Sequence, residues 1–139
     1  MKNAVCGFIG VIGGVGALFL ADNNEILHSL IIFMVIDYLS GIVVAAIFKN
    51  SQKTESGGLS SKIGWKGLCQ KIMILAFVLV GNRIDTLIGA NYIEETICIG
   101  FMTNELISIT ENAGLMGIPL PSVVKKAIDI LNEKNDIAE

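Results

Sequence analysis

Apolar positions in this chain gather into four runs separated by short polar stretches, without the regular amphipathic spacing of a soluble helical domain. Ala4 to Ala21 holds 18 residues without a charge. At ~1.5 Å per helical residue that is about 27 Å, just under the ~30 Å of a hydrocarbon core. Ile26 to Phe48 holds 23 residues interrupted by Asp37. Leu68 to Gly81 is the third run, extended backwards through Ile63-Gly64-Trp65-Lys66, and Ile93 to Ile109 is the fourth, broken by Thr103-Asn104-Glu105. The pattern predicts an all-α polytopic membrane protein, a single domain over residues 1–139 with helices at about 4–21, 26–48, 63–81 and 93–109. Four of these span if the first run crosses the bilayer; three remain if it lies flat or is removed. A cleaved leader fits poorly, because Phe19 stands where a small residue should precede the cut.

The run around Asp37 tests whether a charge forbids insertion. Its 14 Leu, Ile, Val and Phe residues contribute roughly −4 to −8 kcal/mol together, against roughly +2.5 to +3.5 for a central aspartate. Insertion wins. Orientation follows from the basic residues: the segment from Lys49 to Lys71 holds Lys49, Lys53, Lys62, Lys66 and Lys71, which predicts that it is cytoplasmic. By alternation both termini are cytoplasmic, and of the 10 basic residues Arg83 alone, on the Asn82 to Tyr92 connection, lies outside. Trp65, Lys62 and Lys66 are expected to anchor the third helix at the interface.

Ser51 to Ser61, small and polar, reads as a flexible linker without phosphate-loop spacing. Pro119 and Pro121 should end the fourth helix. From Ser122, expected to cap, Val123, Val124, Ala127, Ile128 and Leu131 recur at helical spacing opposite Lys125, Lys126, Asp129 and Glu133. This predicts a short cytoplasmic amphipathic helix over 122–137, suited to a membrane face or a neighbouring subunit. The Ser122 to Lys125 spacing matches the SxxK of penicillin-binding enzymes, but its partner motifs are missing.

Composition agrees with a membrane protein: 53% hydrophobic and 17% charged residues, with a mean hydropathy of +0.67. A net charge of −3 with scattered basic residues argues against nucleic acid as a partner. Cys6, Cys69 and Cys98 show neither disulfide nor zinc spacing. No cofactor, metal or catalytic residue is expected, and the chain reads as a non-enzyme.

The candidate chemistry lies in polar groups within the apolar runs. Asp37, Ser40, Gly41, Val44 and Ala45 share one helical face. In the fourth run the helical step places Asn104, Glu105, Ser108, Glu111 and Asn112 within about a third of the circumference, a set suited to protein or water. Cys98, Ile99, Met102, Leu106 and Ile109 are assigned to the opposite side and to lipid. The polar set either holds the helices of one subunit together or lines a water-filled lesion built by several subunits. Asp37 and Glu105 also supply the carboxylate pair of an intramembrane aspartyl hydrolase, but nothing else of such an enzyme is present. Gly10 with Gly14, and Gly41 with Ala45, give the small-xxx-small spacing that lets helices approach closely, as in a homo-oligomer.

Three blocks then carry a resemblance: IDYLSG (Ile36 to Gly41), SSKIGWKGLCQKI (Ser60 to Ile72) and NELISITENAGLMGIPLP (Asn104 to Pro121). In this order and spacing the chain resembles the small phage-lysis and toxin-secretion holins over roughly residues 26–131. The resemblance implies a protein of the bacterial cytoplasmic membrane that accumulates, self-associates and makes lesions through which an endolysin or a large toxin passes. It marks Asp37, Gly41, Gly64, Lys66, Gly67, Asn104, Glu105, Glu111, Asn112, Gly117, Pro119 and Pro121 as motif positions, none catalytic. Where many relatives have an Arg before the fourth run and a Gly after the Asn-Glu pair, this chain has Glu94-Glu95 and Leu106. An antiholin or membrane scaffold, which does not permeabilise, shares the same helices and tail.

Overall fold

The computed structural model describes residues 24–53 and 55–138. The first apolar run, with Gly10 and Gly14, lies outside them. Four helices make up the described chain, with no strand among the described residues: α1 (Glu25–Val43), whose end widens into a π-helical turn (Val44–Phe48), α2 (Ser61–Ile88), α3 (Ile93–Leu115) and α4 (Ser122–Ala138).

Local chemistry sets the helix ends. Asn24 caps α1, its side-chain oxygen accepting from the amides of Ile26 and Leu27 at 3.1 and 3.2 Å. After the π turn, Lys49 is left-handed (φ 49°) and the chain folds back so that the Ser51 amide donates to the Gly57 carbonyl at 3.0 Å. A Cβ on Gly57 would lie 2.2 Å from the Lys49 carbonyl oxygen, so this loop closes only with glycine there. At the end of α3, Gly117 (φ 78°) donates to Gly114 at 3.0 Å and Ile118 to Ala113 at 2.9 Å. That left-handed cap satisfies carbonyls the helix leaves open, and Pro119 follows it. The expected cap at Ser122 is corrected: the Pro121 carbonyl accepts from the Val124 amide at 3.0 Å, which makes Ser122 the first residue of α4.

Two boundaries also differ from the hydropathy pattern. Asn82 to Ile88, expected in an outer connection, continue α2, and the connection shrinks to Gly89–Tyr92. Helix α3 runs to Leu115 instead of Ile109. In both places polar residues that interrupt the apolar run have partners on other helices, so polarity does not end the helix.

Helix α3 is central, packing on α1, α2 and α4, while α1 and α2 touch each other little. Leu27, Leu30 and Met34 of α1, Val78 of α2, and Cys98 and Met102 of α3 form the apolar core. Cys98 and Met102 are therefore buried in protein, which corrects their assignment to lipid. At 100° per residue, Cys98, Met102, Glu105 and Asn112 fall within about 80° of one another, so the two sectors adjoin along one buried stripe. Asn104 and Glu111, at the far edge of the polar sector, are exposed.

The outward faces are apolar. Ile32, Val35, Ile36 and Leu39 of α1, and Met73, Phe77, Val80 and Leu87 of α2, are all exposed at helical spacing. Helices Glu25–Phe48 and Ser61–Ile88 are long and apolar enough to cross a membrane. The more polar α3 packs against both of them.

Close packing between α2 and α3 is tightest at Gly81. A Cβ there would meet Ile97 Cδ1 at 2.7 Å and the Glu94 Cα at 3.2 Å, whereas one at Gly114 meets nothing within 4 Å. Gly81→Ala is expected to destabilise the bundle by about 1–3 kcal/mol through overpacking, and Gly114→Ala to be neutral or stabilising by up to about 1 kcal/mol. Thermal unfolding in detergent, followed by circular dichroism, checks both; equal midpoints would contradict the packing.

Candidate functional site: a charged cluster between apolar helices

Each of the three core helices contributes one charged side chain to a common point. Asp37 lies on the buried stripe of α1 with Leu30, Met34 and Val44. Glu105 lies on that of α3 with Cys98, Met102 and Asn112. Lys71 comes from α2, one turn after Gly67, and its ammonium reaches both acids. It donates to Asp37 Oδ2 at 2.8 Å and to Glu105 Oε2. The three side chains are 14%, 10% and 8% exposed for Lys71, Asp37 and Glu105.

Asn112 closes the cluster. Its Nδ2 donates to Ser40 Oγ at 2.9 Å and, more weakly at 3.4 Å, to Asp37 Oδ1 and the Asp37 carbonyl, while Ser40 Oγ donates to that carbonyl at 3.0 Å. Gly41 lies beside Asn112, where a Cβ would sit 3.8 Å from Nδ2, an ordinary contact. Beside the cluster, Tyr38 OH donates to the Gly64 carbonyl at 3.3 Å, and its ring lies against Gly67. The second sequence block thus packs its glycines beside the tyrosine of the first.

A cavity of about 830 Å³ opens onto this cluster. It lies between α1, the first half of α2 and the second half of α3, under the Lys49–Ser60 loop, and Asp37, Lys71 and Glu105 line it with Asn104, Ser108 and Glu111. Among the described residues no group of His, Cys, Asp and Glu is placed to hold a metal ion.

The opposite end of the bundle has its own polar layer. Asp85 of α2, buried, accepts the first amides of α3, Ile93 N to Oδ1 at 3.1 Å and Glu94 N to Oδ2 at 2.9 Å. A carboxylate there satisfies open donors and opposes the positive end of the α3 dipole. Glu94 in turn accepts from Asn24 at 2.9 Å and Asn82 at 2.7 Å, joining all three helices.

The structure therefore brings together Asp37, Ser40, Glu105 and Asn112, and sets Asn104, Ser108 and Glu111 along the cavity. Gly41 and Ala45 pack inside the chain against α3 and its surroundings, with Ala45 buried. Trp65, Lys62 and Lys66 are exposed in the first turns of α2. Sequence reasoning assigned Lys71 to a cytoplasmic loop; it is a half-buried member of the cluster within α2, which leaves Lys49, Lys53, Lys62 and Lys66 as the basic segment. Its signal was available: Lys71 lies inside an apolar run, and two other runs each carry an acid. Asp85 was missed because the segment holding it read as a connection, and Glu94, at the start of the fourth run, stood out only as a departure from the family pattern.

Apolar outer faces, two helices long enough to span and charges paired within the bundle define a small all-helical membrane protein. The model of the bacteriophage holin family matches residues 14–133, and the chain belongs to that family. A probable holin of Bacillus phage phi105 is 28% identical over 119 residues, covering 85% of this chain and 82% of the phage protein. An uncharacterized protein of Listeria innocua is 35% identical over 131 residues, 91% of this chain and 87% of that protein. An uncharacterized 14.9 kDa Clostridium perfringens protein from the nagH 3′ region is 34% identical over 110 residues, 78% and 77% of the two chains. No solved structure matches the chain.

Removing the cluster's cation isolates two buried carboxylates. Lys71→Met is expected to cost about 3–5 kcal/mol. Adding Asp37→Asn and Glu105→Gln to it should recover much of that loss, because no uncompensated charge remains. Thermal midpoints of the purified chain in detergent decide; a triple variant no more stable than Lys71→Met would show that the ion pairs are not the source of the loss.

Proposed function

We propose that this chain is a lesion-forming holin: it accumulates in the bacterial cytoplasmic membrane, self-associates and opens lesions that pass an endolysin or a large toxin, leading to lysis or export. The observation that carries this reading is the Asp37–Lys71–Glu105 cluster, set among apolar helices and reached by a cavity. Charged groups inside apolar segments are costly unless paired or wet. While subunits accumulate, the three side chains pair with one another. After assembly the same faces of α1, α2 and α3 turn to water, which solvates the charges in place of that pairing.

In this reading α1, α2 and α3 all span, with the first apolar run as a fourth span, and α3 is admitted because α1 and α2 shield it. The Lys49–Lys66 segment and both termini are cytoplasmic, and α4 lies at that surface. The protein acts without catalysis, its partners being copies of itself, the bilayer and the cargo enzyme or toxin.

A second reading, an antiholin or scaffold, is favoured by one feature: the charges of the cluster are satisfied inside a single chain, as in a subunit that never opens. Inducible expression in bacteria separates the two, with a potential-sensitive dye read alongside release of a folded cytoplasmic enzyme. Abrupt depolarisation with enzyme release after a delay is expected; accumulation in the membrane with neither change would favour the non-permeabilising subunit. Asp37→Leu should shift the onset or abolish it while membrane insertion persists. Unchanged onset and permeability would remove Asp37 from the mechanism.

A further inference from the structure

The cavity that opens onto the charged cluster is built of two chemically different parts. Lys53 from the loop and Lys66 from α2, both exposed, line it together with Glu111 of α3. Its acidic floor is engaged, since Asp37 and Glu105 are bound by Lys71. Further along α2 the wall becomes apolar, through Met73 and Phe77, with Phe101 of α3 opposite and the two rings 6.4 Å apart. Met73 and Phe77 also belong to the exposed apolar face of α2, so this wall is continuous with the surface that meets lipid. Its volume, about 830 Å³, is that of a small-molecule site.

A cationic rim above an apolar wall matches an amphiphile with an anionic head. We propose that this cavity binds one anionic phospholipid of the leaflet on the lysine-rich side, with a hydroxyl-bearing headgroup of the phosphatidylglycerol type. The phosphate sits between the Lys53 and Lys66 ammonium groups, as basic pockets between spanning helices hold lipid headgroups. The headgroup hydroxyls, which can donate hydrogen bonds, suit Glu111 and Asn104, and an acyl chain runs along Met73 and Phe77. A zwitterionic choline headgroup brings a third cation beside the two lysines and no hydroxyl for Glu111. The inference requires the chain to lie in a bilayer and does not require it to form a lesion.

The test is native mass spectrometry of the purified full chain in detergent, titrated separately with phosphatidylglycerol and phosphatidylcholine. One retained phosphatidylglycerol per chain is expected, with phosphatidylcholine retained at least about tenfold less, in keeping with the pull of two lysines on a net anionic headgroup over a neutral one. Lys53→Gln with Lys66→Gln should abolish the preference. Lys49→Asn with Lys62→Gln, which removes the same charge from residues that do not line the cavity, should keep it. Equal retention of the two lipids by the native chain, or equal loss of preference in the two double variants, would overturn the site in favour of unspecific attraction to the loop. Circular dichroism of both variants confirms that the helices persist.

Discussion

One ammonium shared by two carboxylates is the constraint on which this bundle depends. Lys71, Asp37 and Glu105 come from three different helices, and none tolerates isolation in an apolar setting. The helices must therefore be rotated and set at a depth that joins them, which fixes the stripe each turns inward. Gly41, Gly64 and Gly67 lie along the same seam, beside Asn112 and the Tyr38 side chain.

Along the seam the chemistry alternates. Asn24, Asn82, Asp85 and Glu94 bind the three helices at one end, and an apolar layer of Leu27, Leu30, Met34, Val78, Cys98 and Met102 follows. The charged cluster comes next, and then the cavity beneath the basic loop. This order suits the proposed role, in which the subunit is harmless before it assembles. The apolar layer separates the cavity from the far polar end, and the ion pairs join the three helices beside that layer. Because separating the helices exposes apolar and charged groups together, the proposed opening requires subunits and water to take over both kinds of contact.

The sequence made much of this legible and misplaced the rest for definite reasons. Long apolar runs located α1 and most of α2, and an acid inside each of two runs pointed to Asp37 and Glu105. The lysine that joins them went unrecognised because counting basic residues between runs treats every lysine near a helix start as loop. The continuation of α2 to Ile88 was hidden by Asn82 and Asp85, which look like loop residues until Glu94 and the first amides of α3 are seen to receive them. Cys98 and Met102 were sent to lipid because apolar residues in a membrane helix suit protein and lipid alike; only the packing of α1 and α2 onto α3 decides between them.

The central claim is that the seam closed by this cluster is what opens to water. The most direct measurement is the reactivity of Cys98, wholly buried in the apolar layer, towards a water-soluble thiol reagent in cells expressing the chain with Cys6→Ser and Cys69→Ser. Thiol chemistry needs thiolate, and hence water, at the sulfur. Cys98 should be inert while the protein accumulates and should react at the onset of depolarisation. Depolarisation with enzyme release while Cys98 stays unreactive would mean that the lesion forms around an intact bundle, and would contradict the account.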